Sequence, residues 1–474
     1  MNNFNLLLSR IDDAVWGLPL IMLITAVGVI ITVRTNFIQI IHLPKAIKYM
    51  FNDEQDGIGE VSSFAALCTA LSATIGTGNI IGVATAVCSG GPGAIFWLEV
   101  GAFFGMATKY AEGFLALRFR HIEKDGTILG GPFYYIQKGM GKKWKWLSIL
   151  FAVSGLLAGV LGIGTITQVN GITAAVNNYF DPECTHCVSI FGGTYSISVV
   201  ISGLIVTLCV AAVIFGGLKS ISTVSQFVVP FMAVIYVGAV MLLLFCNREK
   251  IPYAIQLIVK SAFNPAAFTG GAVGSVFIAI QKGIARGIFS NEAGLGSTPI
   301  VAAAARTKEP VRQGLVCMTG TFFDTIIICT MTGLAIVVTD AWRQPGLEGA
   351  AISSYAFGAG LPFKPELSQF LLMISLVFFV FTSILGWNYY SEKCLQYLVG
   401  NKKTAFKIYR LLYILAVFAG PYMSVSAVWY IADIFNGLMA FPNLVALFVL
   451  SGLVINETNE YVSTQKILRQ CKKR

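Results

Sequence analysis

The chain has 474 residues, of which 56% are hydrophobic and only 12% charged, with a mean hydropathy of +0.74. A soluble globular protein carries about 25% charged residues to cover its surface, so this composition excludes two or three water-soluble domains and places the outer surface in lipid. The net charge of +10 is not a nucleic-acid signature: Lys and Arg lie in short segments between apolar stretches and in a tail at Lys466, Arg469, Lys472, Lys473 and Arg474, as in loops beside anionic headgroups.

Residues 18–33 (LPLIMLITAVGVIITV) follow Asp12 and Asp13 and precede no small-residue cleavage site, so they read as an uncleaved first span rather than a signal peptide. About 20 mostly apolar residues cross a bilayer as a helix. Eleven stretches qualify: 15–33, 61–89, 93–117, 147–176, 195–216, 222–246, 266–289, 313–339, 366–391, 404–419 and 424–455. The segment 37–51 is amphipathic, basic and too short to cross, and is expected along the interface. The expected fold is therefore an all-α integral membrane protein of eleven transmembrane helices. Its parts are an N-terminal helix with the interfacial helix (1–60), five helices over 61–246, five over 266–455, and a basic cytoplasmic tail over 456–474.

With the N-terminus outside, the inner segments hold 25 of the 33 Lys and Arg and the outer ones 6. The positive-inside rule then gives a multi-pass protein of the cell (inner) membrane with a cytoplasmic C-terminus. Cysteines such as Cys68, Cys88, Cys209, Cys317 and Cys329 lie in apolar segments and read as small hydrophobes. Cys184 and Cys187 flank His186 in DPECTHC, a pattern that suits a local disulfide or a metal site.

Two spans differ from the rest. The second contains Ser72-Ala-Thr-Ile-Gly-Thr-Gly-Asn-Ile-Ile-Gly82, and the seventh contains Thr269-Gly-Gly-Ala-Val-Gly-Ser275, leading into Gly283 and Gly287. Glycine costs about 1 kcal/mol against alanine inside a helix, and unwound backbone survives in a bilayer only where protein wraps it or it lines a cavity. Small-residue helix packing is the competing reading. The position of the clusters, at the first helix of each five-helix half, favours a cavity. Five is odd, so the halves have opposite orientations, and inverted repeats that open on broken helices mark secondary transporters.

A half-helix N-terminus suits a carboxylate, which points to Gly78 and Asn79 with Thr77 beside them. Exposed carbonyls from Ser72 to Ile75 suit a hard cation, and the adjacent hydroxyls of Thr382 and Ser383 supply further oxygens. Glu99, Lys109, Glu112 and Asp324 lie within spans, where charge is costly; Lys109 and Glu112 are spaced to pair on one helix face. Arg286, Asn291 and Glu292 are expected to organise the cytoplasmic end of the seventh span. There is no GxxxxGK[ST] nucleotide loop, no intramembrane HExxH and no paired Asp, so neither nucleotide-driven nor enzymatic chemistry is expected. No nucleic-acid or nucleotide partner is expected.

IGTGNIIGVATA (75–86), GGPFYYIQKGMG (130–141), GIARGIFSNEAGLGSTPIVAAAA (283–305) and FTSILGWNYYSEK (381–393) resemble the alanine or glycine:cation symporter family across nearly the whole chain. The resemblance implies a leucine-transporter type fold with one additional N-terminal helix. It also implies sodium-coupled uptake of a small neutral amino acid, alanine or glycine, with Na+ as the co-transported ion. The substrate contacts it implies are Thr77, Gly78 and Asn79 from the first broken helix, Phe277, Ile280 and Gly283 from the second, Gln168 from the fourth span, where Asn170 in GTITQVNG is a rival, and Ser383 with Trp387 from the ninth. The carbonyls of Ser72 and Ile75 and the hydroxyls of Thr382 and Ser383 are implied to hold sodium.

Overall fold

The computed structural model describes all residues except 1–2, 53, 55–56, 125, 191, 264–275, 424 and 472–474, and the side chains except also those of residues 3–4, 18, 277, 425–426 and 466–471. The chain is helical almost throughout. Helix α1 (Asn3–Val15) precedes α2 (Leu18–Arg34), which starts with Pro19 in its first turn, where the missing N–H costs nothing. Helix α3 (Leu43–Phe51) has nine residues, about 13 Å, too short to cross a bilayer. Helix α4 (Ser63–Thr74) is capped by the Ser62 hydroxyl, which accepts the Ala65 N–H at 3.0 Å. A π-turn at Gly78–Gly82 leads into α5 (Val83–Gly90). Gly91, at φ +73°, then reverses the chain into α6 (Gly93–Arg118).

Next come α7 (Lys145–Leu161), α8 (Ile166–Phe180), α9 (Ile197–Ile214), α10 (Gly217–Cys246) and α11 (Ile251–Phe263). The later part comprises α12 (Val276–Asn291), α13 (Thr298–Ala302), α14 (Pro310–Thr321), continued through a π-helical stretch Phe322–Cys329 into α15 (Thr330–Val338), then α16 (Ala350–Gly360), α17 (Pro365–Val399), α18 (Lys403–Ala419) and α19 (Val425–Cys471). The stretch 456–474, expected as a separate tail, continues α19 as far as Cys471.

Among the described residues, eight helices are long and apolar enough to cross a membrane, and nine if the bent pair Ser63–Thr74 and Gly78–Gly90 counts as one span. Two expected stretches fall outside that count for identifiable reasons. Helix α6 has 26 residues, about 39 Å, but it carries Glu99, Lys109 and Glu112, of which Lys109 and Glu112 are buried in protein. The stretch 266–289 begins in residues outside the description and continues as α12.

Two groups of helices organise the interior. In one, α6 lies along both α14 and α12; in the other, α17 lies along α7 and α8, and α19 along α7. The α6–α14 contact is close because small residues face each other. A Cβ on Gly113 would stand 2.5 Å from the Cys317 sulfur, and one on Gly314 would stand 2.7 Å from the Tyr110 carbonyl oxygen. Helices α9, α10 and α18 form the periphery: Phe227 and Val234 are 74% and 72% exposed, an arrangement that suits lipid and not water.

Two antiparallel hairpins lie outside the helices: β1 (His121–Ile122) with β2 (Ile128–Leu129), and β3 (Cys187–Ile190) with β4 (Gly193–Ser196). Cys184 and Cys187 form a disulfide, which decides between the two expected readings of DPECTHC. Asp181 anchors that hairpin to the end of α8. Its carboxylate accepts the Thr185 N–H (2.6 Å) and hydroxyl (2.7 Å), the His186 N–H (3.2 Å) and the Ser196 hydroxyl (2.6 Å). These donors, Ser196 foremost, hold the Asp181 carboxyl well below the usual carboxylate range.

Candidate functional site

Helices α4 and α5 meet at 52° across Ile75–Thr77. The backbone groups freed there are taken up by side chains, as a dry interior requires. The Gly76 N–H donates to Asn79 Oδ1 at 2.9 Å, and the Thr77 N–H to Gln168 Oε1 at 3.4 Å; the Ile75 carbonyl accepts the Ser383 hydroxyl at 3.1 Å. Asn79 Nδ2 donates onward to Asp324 Oδ1 (2.8 Å) and to the Asp324 carbonyl (3.0 Å). A side chain at Gly76 has no room, because its Cβ would lie 2.5 Å from Ser383 Oγ and 3.1 Å from Gln168 Oε1.

A second break lies at Glu292–Ser297, between α12 and α13. Glu292 (φ +56°), Gly294 (φ +89°) and Gly296 (φ +78°) all occupy the left-handed region. Glu112, from α6, holds the break: its Oε1 accepts the N–H groups of Gly294 (3.0 Å) and Gly296 (3.1 Å) and Asn443 Nδ2 (2.7 Å). Asn443 Nδ2 also donates to the Gly294 carbonyl at 2.9 Å. Lys109 Nζ stands 3.8 Å from Glu112 Oε2 and donates to the Thr298 hydroxyl. Glu292 accepts Trp387 Nε1 at 2.8 Å and the Ser297 hydroxyl.

The expected second break, Thr269–Ser275, lies outside the described residues; the break the structure describes comes later, within SNEAGLGS. Its own glycine pair was the available signal. In the sequence the stretch follows Arg286 and resembles a loop after a finished span.

This position changes which part of the second helix meets the first. Gly283 packs on α6: a Cβ there would be 2.4 Å from the Ala94 carbonyl oxygen and 3.0 Å from the Leu98 nitrogen, so no side chain fits at this position. Ile280 is half-buried against the core, and the side chain of Phe277 lies outside the described residues. The residues that face the first break are Phe289 and Ser290. A Cβ on Gly78 would come within 3.3 Å of Phe289 Cδ1 and 3.0 Å of Ser290 Cα. The Ser290 hydroxyl donates to Asp324 Oδ2 at 2.9 Å, so Asp324 ties both breaks together through Asn79 and Ser290.

Among the residues expected to hold sodium, Ile75 and Ser383 are joined by the hydrogen bond above. The Thr382 hydroxyl donates within its own helix to Phe378 (3.1 Å) and Phe379 (2.9 Å) carbonyls, and the Ser72 hydroxyl to the Thr69 carbonyl (2.7 Å). The Thr77 hydroxyl is buried without a hydrogen-bond partner. Arg286, Asn291 and Glu292 do not form one network. Arg286 donates to Asp433 Oδ2 at 3.2 Å between the rings of Phe289 and Trp429, whereas Asn291 donates to the Thr325 hydroxyl at 3.0 Å and Glu292 bonds Trp387 and Ser297. The reason is that α12 ends at Asn291, which puts a full turn of helix between Arg286 and the break.

Trp387 is fully buried. Trp387→Phe keeps most of its bulk but removes the donor to Glu292, a bond worth about 1.5–3 kcal/mol when the acceptor is charged. The expected result is a lower melting temperature and slower transport, measured on purified protein and in vesicles. A variant equal to wild type in both would show that the bond carries nothing.

Comparison with known proteins agrees with this architecture. The model of the sodium:alanine symporter family matches residues 1–473. The chain is 44% identical over 98% of its length to the sodium/alanine symporter AgcS of Methanococcus maripaludis, of which it covers 98%. It is 52% identical to an uncharacterized transporter of Haemophilus influenzae, with 97% of each chain covered. It is also 35% identical to the probable sodium/glutamine symporter GlnT of Bacillus subtilis, over 96% of this chain and 90% of that one. The crystal structure of MhsT in complex with L-phenylalanine superimposes with a TM-score of 0.55 at 12% identity, covering 84% of this chain and 98% of that one. The fold is of the leucine-transporter type, and the relatives are membrane transporters, not enzymes. From its first residues to its last helix, this chain belongs to the sodium:alanine symporter family.

Proposed function

We propose that the protein is a sodium-coupled symporter that imports a small neutral amino acid, alanine or glycine, across the cell membrane by alternating access. The observation that carries this reading is the meeting of two interrupted helices, with Gly78 over Ser290 and the freed Ile75 carbonyl against Ser383. Backbone N–H groups at Gly78 and Asn79 would take the carboxylate, and oxygens of Ile75 and Ser383, with Thr382 and Ser72 after their hydroxyls or carbonyls reorient, would take sodium. Thr77, Gln168 and Trp387 would complete the substrate wall, with Phe289 and Ser290 joining Ile280 and Gly283 from α12. The bulk of Trp387 favours a hydrogen or methyl side chain, in keeping with the relative named as a sodium/alanine symporter.

The helix contacts support an eleven-span, one-plus-five-plus-five inverted repeat; the placing of the N-terminus outside rests on the Lys and Arg count of the loops. Helix α5 packs on α12, α6 on α14, α8 on α17 and α9 on α18, so each of the first four helices of one half touches its counterpart in the other.

Uptake of labelled alanine, glycine, serine and leucine into proteoliposomes, with and without an inward sodium gradient, tests the proposal. Alanine or glycine should accumulate only with the gradient. Ser383→Ala should raise the half-saturating sodium concentration about tenfold and weaken amino-acid binding with it, because linkage is reciprocal. Uptake indifferent to sodium in the wild type would sink the proposal.

A further inference from the structure

One face of α19 carries Trp429, Asp433, Asn436, Ala440 and Asn443, at spacings that keep them on a single side of a helix. The neighbours of that face are fixed on both sides of Asn436. Before it, Trp429 packs on Phe289 (5.1 Å between ring centroids) and Asp433 meets Arg286; after it, Asn443 donates to the Gly294 carbonyl. Asn436 therefore lies level with the end of α12 and the second break. The turn Gly162–Gly164 borders the same place: a Cβ on Gly162 would be 3.1 Å from the Cα of Ala432, one turn before Asn436, and a Cβ on Gly164 would be 2.8 Å from the Cβ of Trp387. One turn of chain therefore packs both on α19, a helical turn before Asn436, and on Trp387.

Asn436 is completely buried, and neither its amide nitrogen nor its amide oxygen has a hydrogen-bond partner. Its neighbours on the same face, Asp433 and Asn443, are both bonded to α12 or to the break. A fully unpaired amide in a dry interior destabilises a protein relative to an apolar residue of the same shape. A residue of that kind beside a transport site points to a partner that arrives from outside the chain.

We infer that Asn436 is a specificity-determining residue of the substrate site, and that the protein takes small amino acids bearing a side-chain hydroxyl, the serine class, through a hydrogen bond to this amide. The inference rests on the proposed function. A methyl group uses neither end of the amide. A hydroxyl offers one donor and an acceptor and adds a single heavy atom to alanine; a longer carboxamide side chain meets the bulk of Trp387.

The full-length protein in proteoliposomes tests this. Competition of unlabelled alanine and serine against labelled alanine is measured for the wild type, Asn436→Leu and Asn436→Ala, the last removing the amide without added bulk should the leucine variant fail to insert. Serine should compete with wild-type alanine uptake at least as well as alanine does. The serine-to-alanine ratio of inhibition constants should rise at least about tenfold in Asn436→Leu. A ratio within about twofold of wild type, in whichever variant is folded, overturns the assignment. Thermal stabilisation by serine provides a readout that needs no transport. If the wild type shows no sodium-driven uptake but serine stabilises it and not Asn436→Leu, the proposed function fails and Asn436 stands. If serine stabilises wild type and variant alike, Asn436 is not a ligand contact.

Discussion

Glu112→Ala is expected to abolish transport and to leave little folded protein. One carboxylate oxygen of Glu112 accepts three hydrogen bonds, from the N–H groups of Gly294 and Gly296 and from Asn443, while the other faces Lys109 at 3.8 Å. Each bond to a charged acceptor is worth about 1.5–3 kcal/mol, and removing one partner of a buried ion pair costs about 3–5 kcal/mol. The sum approaches the whole stability of a typical fold, about 5–15 kcal/mol. Glu112→Gln keeps an oxygen for the two glycine N–H groups and loses only the charge, so it should retain folded protein with reduced stability and slowed transport. Size-exclusion profiles, melting temperatures and vesicle uptake distinguish the two variants. A monodisperse Glu112→Ala protein with wild-type uptake would show that the second break holds itself open without α6.

Gly78→Val should remove transport while leaving the protein inserted. Already at Cβ, a side chain here meets the Ser290 Cα at 3.0 Å and Phe289 Cδ1 at 3.3 Å, and the first of these is backbone that cannot step aside. Valine adds two methyl groups into the contact where the two breaks face each other. Overpacking of this kind costs about 1–3 kcal/mol, and about 2.7 kcal/mol is a hundredfold in binding. Uptake of alanine should therefore fall by about 100-fold with normal membrane levels, and Gly78→Ala should fall between wild type and Gly78→Val. Wild-type uptake by well-folded Gly78→Val would detach Gly78 from the site.

What the sequence determined by itself follows from local chemistry. A chain with 12% charged residues has to face lipid, and in lipid a helix satisfies its own backbone at every residue, so a helical membrane protein was legible. So was the first break, because Gly76 and Gly78 sit with Thr77 and Asn79 inside one otherwise apolar helix at the start of a five-helix half, a position that favours a break over small-residue packing. The second break was decided by tertiary structure. Glu292–Ser297 stays unwound because Glu112 on α6 and Asn443 on α19 reach its freed backbone groups and Trp387 on α17 holds the Glu292 carboxylate, and these partners are far away in the chain. A glycine pair in sequence says only that the backbone is able to turn; which turn is kept open depends on which distant side chains arrive to hydrogen-bond it. For the same reason the close approach of α6 to Gly283 was not legible, because nothing in the neighbourhood of Gly283 in the sequence records the helix that lies against it.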